Sequence, residues 1–148
     1  MTNKVTAKGA TTAATGKTLT AKGLDLQQAN VVGTLSNQGA AGTIADLNMT
    51  RGAKLLNNDV LTIATMSNAD GVMYTQTGNT ASIKSTDGTW FSNSTINLEG
   101  GVMNRSAEGL GMGNTYNVKA SALLRFRAAI STMTIGERDV NPHRIAHA

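Results

Sequence analysis

Cysteine is absent from this 148-residue chain, so a disulfide framework and a thiolate metal site are both excluded. Aromatic residues make up only 3% of the sequence, with Trp90 as the single tryptophan. Because aromatic side chains usually dominate buried cores, this core must be built from smaller aliphatic residues. We expect such a core to be shared between chains or assembled from short rungs stacked on one another.

Long apolar runs are also missing. Residues 1–4 lead into no apolar stretch of the kind that directs secretion, and no later run approaches the length of a membrane span. The sequence predicts a chain that is made in the cytosol and is not inserted into a membrane. Charged residues at 15% and hydrophobic residues at 40% favour a folded chain over a disordered one.

Residue types that carry catalysis are scarce. The two histidines, His143 and His147, lie in the C-terminal tail, and neither a nucleophile elbow nor a phosphate-binding loop is present. Asp59, Asp70 and Asp87 each stand beside Gly or Asn, where turns favour aspartate for structural reasons. The sequence therefore predicts that the protein is not an enzyme and holds no cofactor and no metal.

Residues 25–104 are predicted to be a β-rich body, and short apolar pieces separated by turn residues run through residues 51–104 of it. They recur at intervals of about 8–12 residues, which is typical of an all-β sandwich, barrel or solenoid. The separators are rich in Asn, Asp and Gly, which tolerate the positive φ angles of hairpin turns. These turns favour an antiparallel sandwich or barrel, whereas the short strands and few aromatics favour a β-solenoid. Because no fixed repeat length is evident, we expect the sandwich.

The two ends of the sequence differ from this mainly β body. Residues 1–24 contain the tetrapeptide Thr-Ala-Lys-Gly twice and are predicted to form an extended low-complexity arm, with two short strands as the alternative. Residues 105–116 hold three closely spaced glycines and are predicted to be a hinge. An amphipathic α-helix is predicted over residues 117–135, and a basic polar tail over residues 136–148.

The predicted C-terminal helix depends on helical spacing of apolar residues. Asn117 is a good N-cap and Gly136 a C-terminal stop. The apolar residues share one helical stripe, and these are Val118, Ala122, Leu123, Phe126, Ala129, Ile130 and Met133. Arg125 and Arg127 lie off the centre of the stripe. We expect the helix to pack on the β body or on another subunit, so these residues are candidates for an interface.

Positive charge is concentrated at the two ends. Residues 1–24 hold four bases and no acid, residues 119–148 hold five bases and two acids, and the middle is slightly acidic. The four N-terminal bases are candidates for docking onto an acidic surface of another subunit, with solubility as the alternative, and these are Lys4, Lys8, Lys17 and Lys22. Nucleic-acid binding is not favoured, because these lysines have no neighbouring aromatic residue to stack on bases.

In its overall composition, the chain resembles small bacteriophage virion proteins, such as capsid decoration proteins and fibre or adaptor subunits. Thr, Asn, Gly, Ser and Ala make up more than half of the sequence. The resemblance implies a structural virion protein that forms a homo-oligomer, with a trimer favoured, and docks onto a larger capsid or tail protein. Two alternatives stay open: a self-polymerising extracellular filament or pilus-like subunit, and a carbohydrate-binding module with Trp90 as its platform.

Overall fold

The computed structural model describes residues 3–126, 134–135 and 145–147, and it shows a β-solenoid of stacked parallel strands. The chain alternates between two faces. One face begins with a five-stranded sheet of β1 (Val5–Ala13), β3 (Leu24–Val31), β5 (Gly42–Met49), β7 (Val60–Ala69) and β9 (Ser82–Ser85). It continues as a three-stranded sheet of β11 (Gly101–Arg105), β13 (Ala122–Phe126) and β15 (Ile145–His147).

The even-numbered strands form the opposite face. This seven-stranded sheet contains β2 (Thr18–Ala21), β4 (Thr34–Asn37), β6 (Lys54–Asn57), β8 (Met73–Gln76), β10 (Thr95–Leu98), β12 (Thr115–Val118) and β14 (Thr134–Ile135). We call an odd-numbered strand and the even-numbered strand that follows it one rung. Successive rungs stack at the usual strand separation of about 4.8 Å.

The prediction of a mainly β protein is confirmed, but the preference for an antiparallel sandwich is wrong. Every strand pair among the described residues is parallel. The distance along the chain between paired residues varies, from 16 residues between Thr18 and Thr34 to 22 between Val60 and Ser82. This variation explains why the sequence shows no fixed repeat length.

The turn residues that suggested hairpins form the corners of the solenoid instead. Gly101 lies at one such corner, with a φ of +71°. A Cβ at this position would lie 2.1 Å from the carbonyl oxygen of Ala81 on the preceding rung. Glycine is therefore required at this corner both for its backbone conformation and for the close approach of two rungs.

The core consists of columns of mostly aliphatic side chains between the two faces. In the even-numbered strands from β2 to β12, the second residue points inward, which gives the column Leu19, Leu35, Leu55, Tyr74, Ile96 and Tyr116. From Leu35 onward, these side chains are at most 1% exposed. Stacked rungs thus supply the core within one chain, which is one of the two solutions that the aromatic-poor composition led us to expect.

A ladder of buried amides runs beside this column, at the last position of three neighbouring even-numbered strands. Asn37, Asn57 and Gln76 are at most 1% exposed and stand in register. Asn37 Nδ2 donates to Asn57 Oδ1 over 3.0 Å, and Asn57 Nδ2 donates to the Tyr74 hydroxyl over 3.1 Å. That hydroxyl donates to Gln76 Oε1 over 2.8 Å. Because buried polar groups are costly unless paired, the ladder favours one register of the rungs.

Residues 1–24 contribute the first rung. A turn with Gly16 at a φ of +68° joins β1 to β2, whereas Gly9 lies inside β1. The two Thr-Ala-Lys-Gly copies occupy different positions, since residues 6–9 belong to β1, whereas residues 20–21 end β2 and residues 22–23 form the corner before β3. The tetrapeptide therefore does not mark equivalent places in successive rungs.

Residues 105–116, predicted to be a hinge, connect β11 to β12 and pack onto the core. Leu110 is 1% exposed and Asn114 is 4% exposed. Asn114 Nδ2 donates to the carbonyl oxygens of Phe91 and Leu110, over 2.8 and 2.9 Å. These bonds hold the glycine-containing segment against the turn that precedes β10.

Strands replace the predicted helix over residues 117–126, so the helix prediction is wrong for this part of the chain, and residues 127–133 lie outside the described residues. Val118 ends β12 and Ala122 begins β13. They stand four residues apart because a turn separates the two strands, and this spacing imitates that of a helix. Asn117, predicted to be an N-cap, instead donates from Nδ2 to Asn97 Oδ1 over 2.7 Å. In the part of the chain described by the structure, no helix is long and apolar enough to cross a membrane.

Candidate functional site

A groove of about 540 Å³ crosses the outer face of the five-stranded sheet. Two columns of outward-facing residues line it. The first column follows the strand register directly, because Thr6 pairs with Asp25, Asp25 with Thr43, and Thr43 with Thr62. The groove therefore runs along the solenoid axis, from one rung to the next.

The second column lies two residues further along each strand. Lys8 and Gln27 stand at its N-terminal end, Ala45 and Ala64 follow, and Thr86 from the turn after β9 closes it. The two alanines occupy the middle rungs, where their short side chains leave the groove open. The five rungs together span roughly 19 Å at the usual strand separation.

The groove offers side-chain groups and little free backbone. Its strands β3, β5 and β7 are hydrogen-bonded on both sides, so their backbone amides and carbonyls are already paired. Thr43 Oγ1 donates to Asp25 Oδ1 over 3.4 Å, and Lys4 Nζ lies 3.8 Å from Asp25 Oδ2. The formal charges of Asp25 and Lys8, the two charged lining residues, cancel. What remains is a neutral surface of hydroxyl, amide and methyl groups.

The four N-terminal candidate lysines are exposed and border the first rung. Lys8 lies in β1, Lys4 precedes it, and Lys17 and Lys22 flank β2. Among the described residues, β1 is hydrogen-bonded to one strand only, β3. All four residues thus lie in the first rung or directly beside its strands.

Three small or aliphatic side chains close the core at the same end. Val5, Ala7 and Leu19 are only partly buried, and they pack against the core from the first rung. Lysines beside an open strand edge oppose its pairing with another strand. This end therefore combines apolar surface and unpaired backbone with a border of positive charge.

The C-terminal interface candidates that the structure describes do not share one surface. Val118 and Ala122 are fully buried in the core, so they offer no surface to a partner. Leu123 and Phe126 are half-buried, and Arg125 is exposed. The other candidates lie outside the residues that the structure describes, and these are Arg127, Ala129, Ile130 and Met133.

Trp90 is engaged by its neighbours. The guanidinium of the buried Arg105 lies 3.8 Å from the centre of the Trp90 ring, and the Phe91 ring meets it edge-on with centroids 5.0 Å apart. The indole Nε1 donates to the Tyr116 hydroxyl over 3.0 Å, and burial raises the pKa of Tyr116 to about 12. The Arg105 guanidinium thus covers one face of the Trp90 ring, and that face is not open to a sugar.

Two turn aspartates have strongly hydrogen-bonded carboxylates. The hydroxyl and backbone amide of Thr89 donate to Asp87 Oδ1 over 2.6 and 3.0 Å, and the Thr65 hydroxyl donates to Oδ2 over 2.7 Å. These bonds lower the pKa of Asp87 to about 2. A hydrogen bond from Asn93 is the main cause of a lowered pKa at Asp70. Within the described residues, no three His, Cys, Asp or Glu side chains are grouped so as to hold a metal.

The stacked strands and the axial groove define the class of this protein, a parallel β-solenoid with a polar groove on one face. The chain matches no protein-family model, no curated protein and no solved structure. Its function must therefore be sought in its own residues.

The sequence alone does not predict the groove, because its columns join residues of different rungs whose spacing varies. A usable signal exists in the inward residues beside it. Leu26, Ile44 and Ile63 pair across three strands, and each follows an outward Asp or Thr by one residue. These three residues are spaced 18 and 19 residues apart. A search for an approximate repeat of this length would have found them, and with them the first column of the groove.

Proposed function

We propose that this chain is a structural subunit that works by assembly, docking through its first rung onto an acidic surface of a larger protein. The lysine-bordered end of the stack is the observation that carries this proposal. The compositional resemblance to bacteriophage virion proteins suggests a capsid or tail protein as the partner, and a homo-oligomer, with a trimer favoured, as the docking form.

Charge makes this end suited to an acidic partner. Lys4 is paired with Asp25, while Lys8, Lys17 and Lys22 make no ion pair with any described residue. Like charges in one rung that are not paired speed the encounter with an oppositely charged surface and select against wrong partners. The half-buried apolar side chains behind them supply area that becomes buried on docking.

The same charges disfavour the filament alternative. Head-to-tail stacking would place the basic first rung of one copy against the last strands that the structure describes in the next, and the described residues from 115 onward include Lys119 and Arg125 but no Asp or Glu. Like charges brought together in this way oppose association. A closed oligomer that leaves the first rung free for another protein avoids this repulsion.

Light scattering and electron microscopy of the purified protein test the proposal. We expect a closed oligomer with a mass of a few copies and no filaments at physiological salt. Long filaments would establish the pilus-like alternative instead. A monomer at every concentration would overturn the homo-oligomer.

A charge-reversal variant tests the role of the lysines. Lys8→Glu combined with Lys17→Glu removes the repulsion between the two ends, so we expect end-to-end association at low salt that high salt reverses. Lys84→Glu is the matched control, because Lys84 is an exposed lysine in β9, away from the first rung. Unchanged mass in the double variant would refute the argument from charge.

A further inference from the structure

We propose that the groove on the five-stranded sheet binds a neutral glycan chain lying along the solenoid axis. Its volume of about 540 Å³ falls within the range of about 300–1,000 Å³ that is usual for ligand sites. Thr6, Thr43, Thr62 and Thr86 present four hydroxyl groups to it, and Gln27 adds an amide. These groups both donate and accept hydrogen bonds, as sugar hydroxyls require.

The paired backbone of β3, β5 and β7 excludes a peptide that would bind across the groove as an added strand. An added peptide strand binds through main-chain hydrogen bonds at a free sheet edge. The groove crosses β3, β5 and β7, and both edges of these strands are already occupied. Recognition across these three strands must therefore use side chains, and a ligand that carries its own hydroxyl groups can pair with them.

Charge excludes a nucleic acid or another polyanion. Binding of a phosphate backbone depends on several Lys or Arg contacts. Lys8 is the only base among the residues that line the groove, and Asp25 in the neighbouring column offsets it. The lining is consequently matched to an uncharged polymer.

Ala45 and Ala64 give the groove its depth. They occupy the second column between Gln27 and Thr86, where longer side chains would fill the space. The alanine methyl groups also offer an apolar floor to the C–H faces of sugar rings. Without an aromatic platform, we expect weak binding at each groove, which an oligomer would strengthen through multivalency.

Methyl NMR of the protein labelled at its alanine methyl groups tests this proposal directly. The probes are short soluble oligosaccharides of neutral hexoses and of N-acetylhexosamines, with a heparin oligosaccharide as the charged comparator. We expect a neutral probe to shift the Ala45 and Ala64 methyl signals and to leave the signal of Ala10 unchanged. Ala10 is exposed on β1 and does not line the groove. If no neutral probe shifts the groove methyls, or if only heparin does, the proposal is wrong.

Two sets of variants separate binding from folding. Ala45→Gln combined with Ala64→Gln fills the groove and should weaken binding at least about tenfold, whereas Ala10→Gln should leave it within about twofold. Thr43→Val with Thr62→Val keeps the shape but removes two hydroxyls, so we expect a loss of about tenfold. Circular dichroism checks the fold of each variant. Unchanged affinity in a folded groove variant would overturn the proposal and would leave the assembly role of the first rung untouched.

Discussion

Asn57 offers the sharpest test of how the rungs are held in register. Its Nδ2 donates to the Tyr74 hydroxyl and to the Ser82 carbonyl oxygen, over 3.1 and 2.9 Å. Its Oδ1 accepts from Asn37 Nδ2 over 3.0 Å and from the Asp59 backbone amide over 3.3 Å. Replacing Asn57 with alanine removes all four bonds and leaves a small cavity among side chains from neighbouring rungs.

The expected cost follows from these partners. A typical hydrogen bond contributes about 1 kcal/mol net, and a buried group left unpaired costs more. Asn37 and Tyr74 each keep another hydrogen-bond partner, while Ser82 and Asp59 are partly exposed and can turn to water. We therefore expect Asn57→Ala to lower the free energy of unfolding by about 3 kcal/mol, a large share of the 5–15 kcal/mol typical of a domain.

Urea unfolding measures this loss, with the fluorescence of the single tryptophan as the signal. Asn79→Ala is the matched control, because Asn79 is exposed and lies in a turn, so its loss should change the free energy by no more than about 0.5 kcal/mol. The slope of the free energy of unfolding against urea concentration should stay unchanged if the folded and unfolded states keep their compactness. A cost for Asn57→Ala within about 1 kcal/mol of the control would refute the reasoning.

Three further predictions concern close packing, pH and Trp90. A Cβ at Gly33 would lie 2.2 and 2.3 Å from two backbone carbonyl oxygens, while a Cβ at Gly9 meets nothing within 4 Å. In urea unfolding, Gly33→Ala should therefore lower the free energy of unfolding by about 3 kcal/mol, and Gly9→Ala should not lower it. Hydrogen bonds hold the Asp87 pKa at about 2 in the folded state, against about 4 when unfolded. Asp87 thus stabilises the fold above about pH 4, and this contribution is lost as the pH falls to about 2; Asp87→Asn should flatten the decline of the urea midpoint in that window, and an equally steep decline would contradict this. Trp90→Ala should lower the free energy of unfolding by about 3–5 kcal/mol, measured by urea unfolding followed by circular dichroism. It should leave the shifts that oligosaccharides cause at the groove methyl groups intact. Loss of those shifts in a folded variant would instead support Trp90 as the sugar-binding platform.

The sequence predicts the strands of this protein better than it predicts their arrangement. Turn residues at short intervals indicate β-structure because Gly and Asn permit the required backbone angles, and this holds at the corners of a solenoid as it does in hairpins. Nothing local distinguishes the two uses. Whether a turn forms a hairpin or a solenoid corner depends on whether the next strand pairs with the last one or crosses to the other face. Contacts between residues about 20 positions apart in the sequence decide this.

The long strands add a second difficulty, because their alternation changes phase. In β3, Leu26 and Ala29 are both buried, and the two residues between them face outward or lie partly exposed. The same shift occurs in β5 between Ile44 and Leu47. A strand that bends in this way shows an interval of three between inward residues, which is also found in helices. The alternation of apolar and polar residues with a period of two therefore does not continue along the whole strand.

The candidate site was predictable only at its charged end. The N-terminal lysines are close in sequence and belong to one rung, so the composition already indicated a basic surface there. The groove is different, since Asp25, Thr43 and Thr62 become neighbours only through the register of three parallel strands. Neighbours that are brought together by stacking can be predicted only when the length of each rung is already known.

The uniform parallel stacking also makes the length of the molecule adjustable in steps. Adding or deleting one rung of roughly 20 residues would change the distance between the two ends by about 4.8 Å, while the end surfaces and the corner geometry stay as they are. In the five-stranded sheet, the same change would lengthen or shorten the groove by one position. Genetic duplication of one rung would thus change the distance between the two ends of the stack without changing the fold.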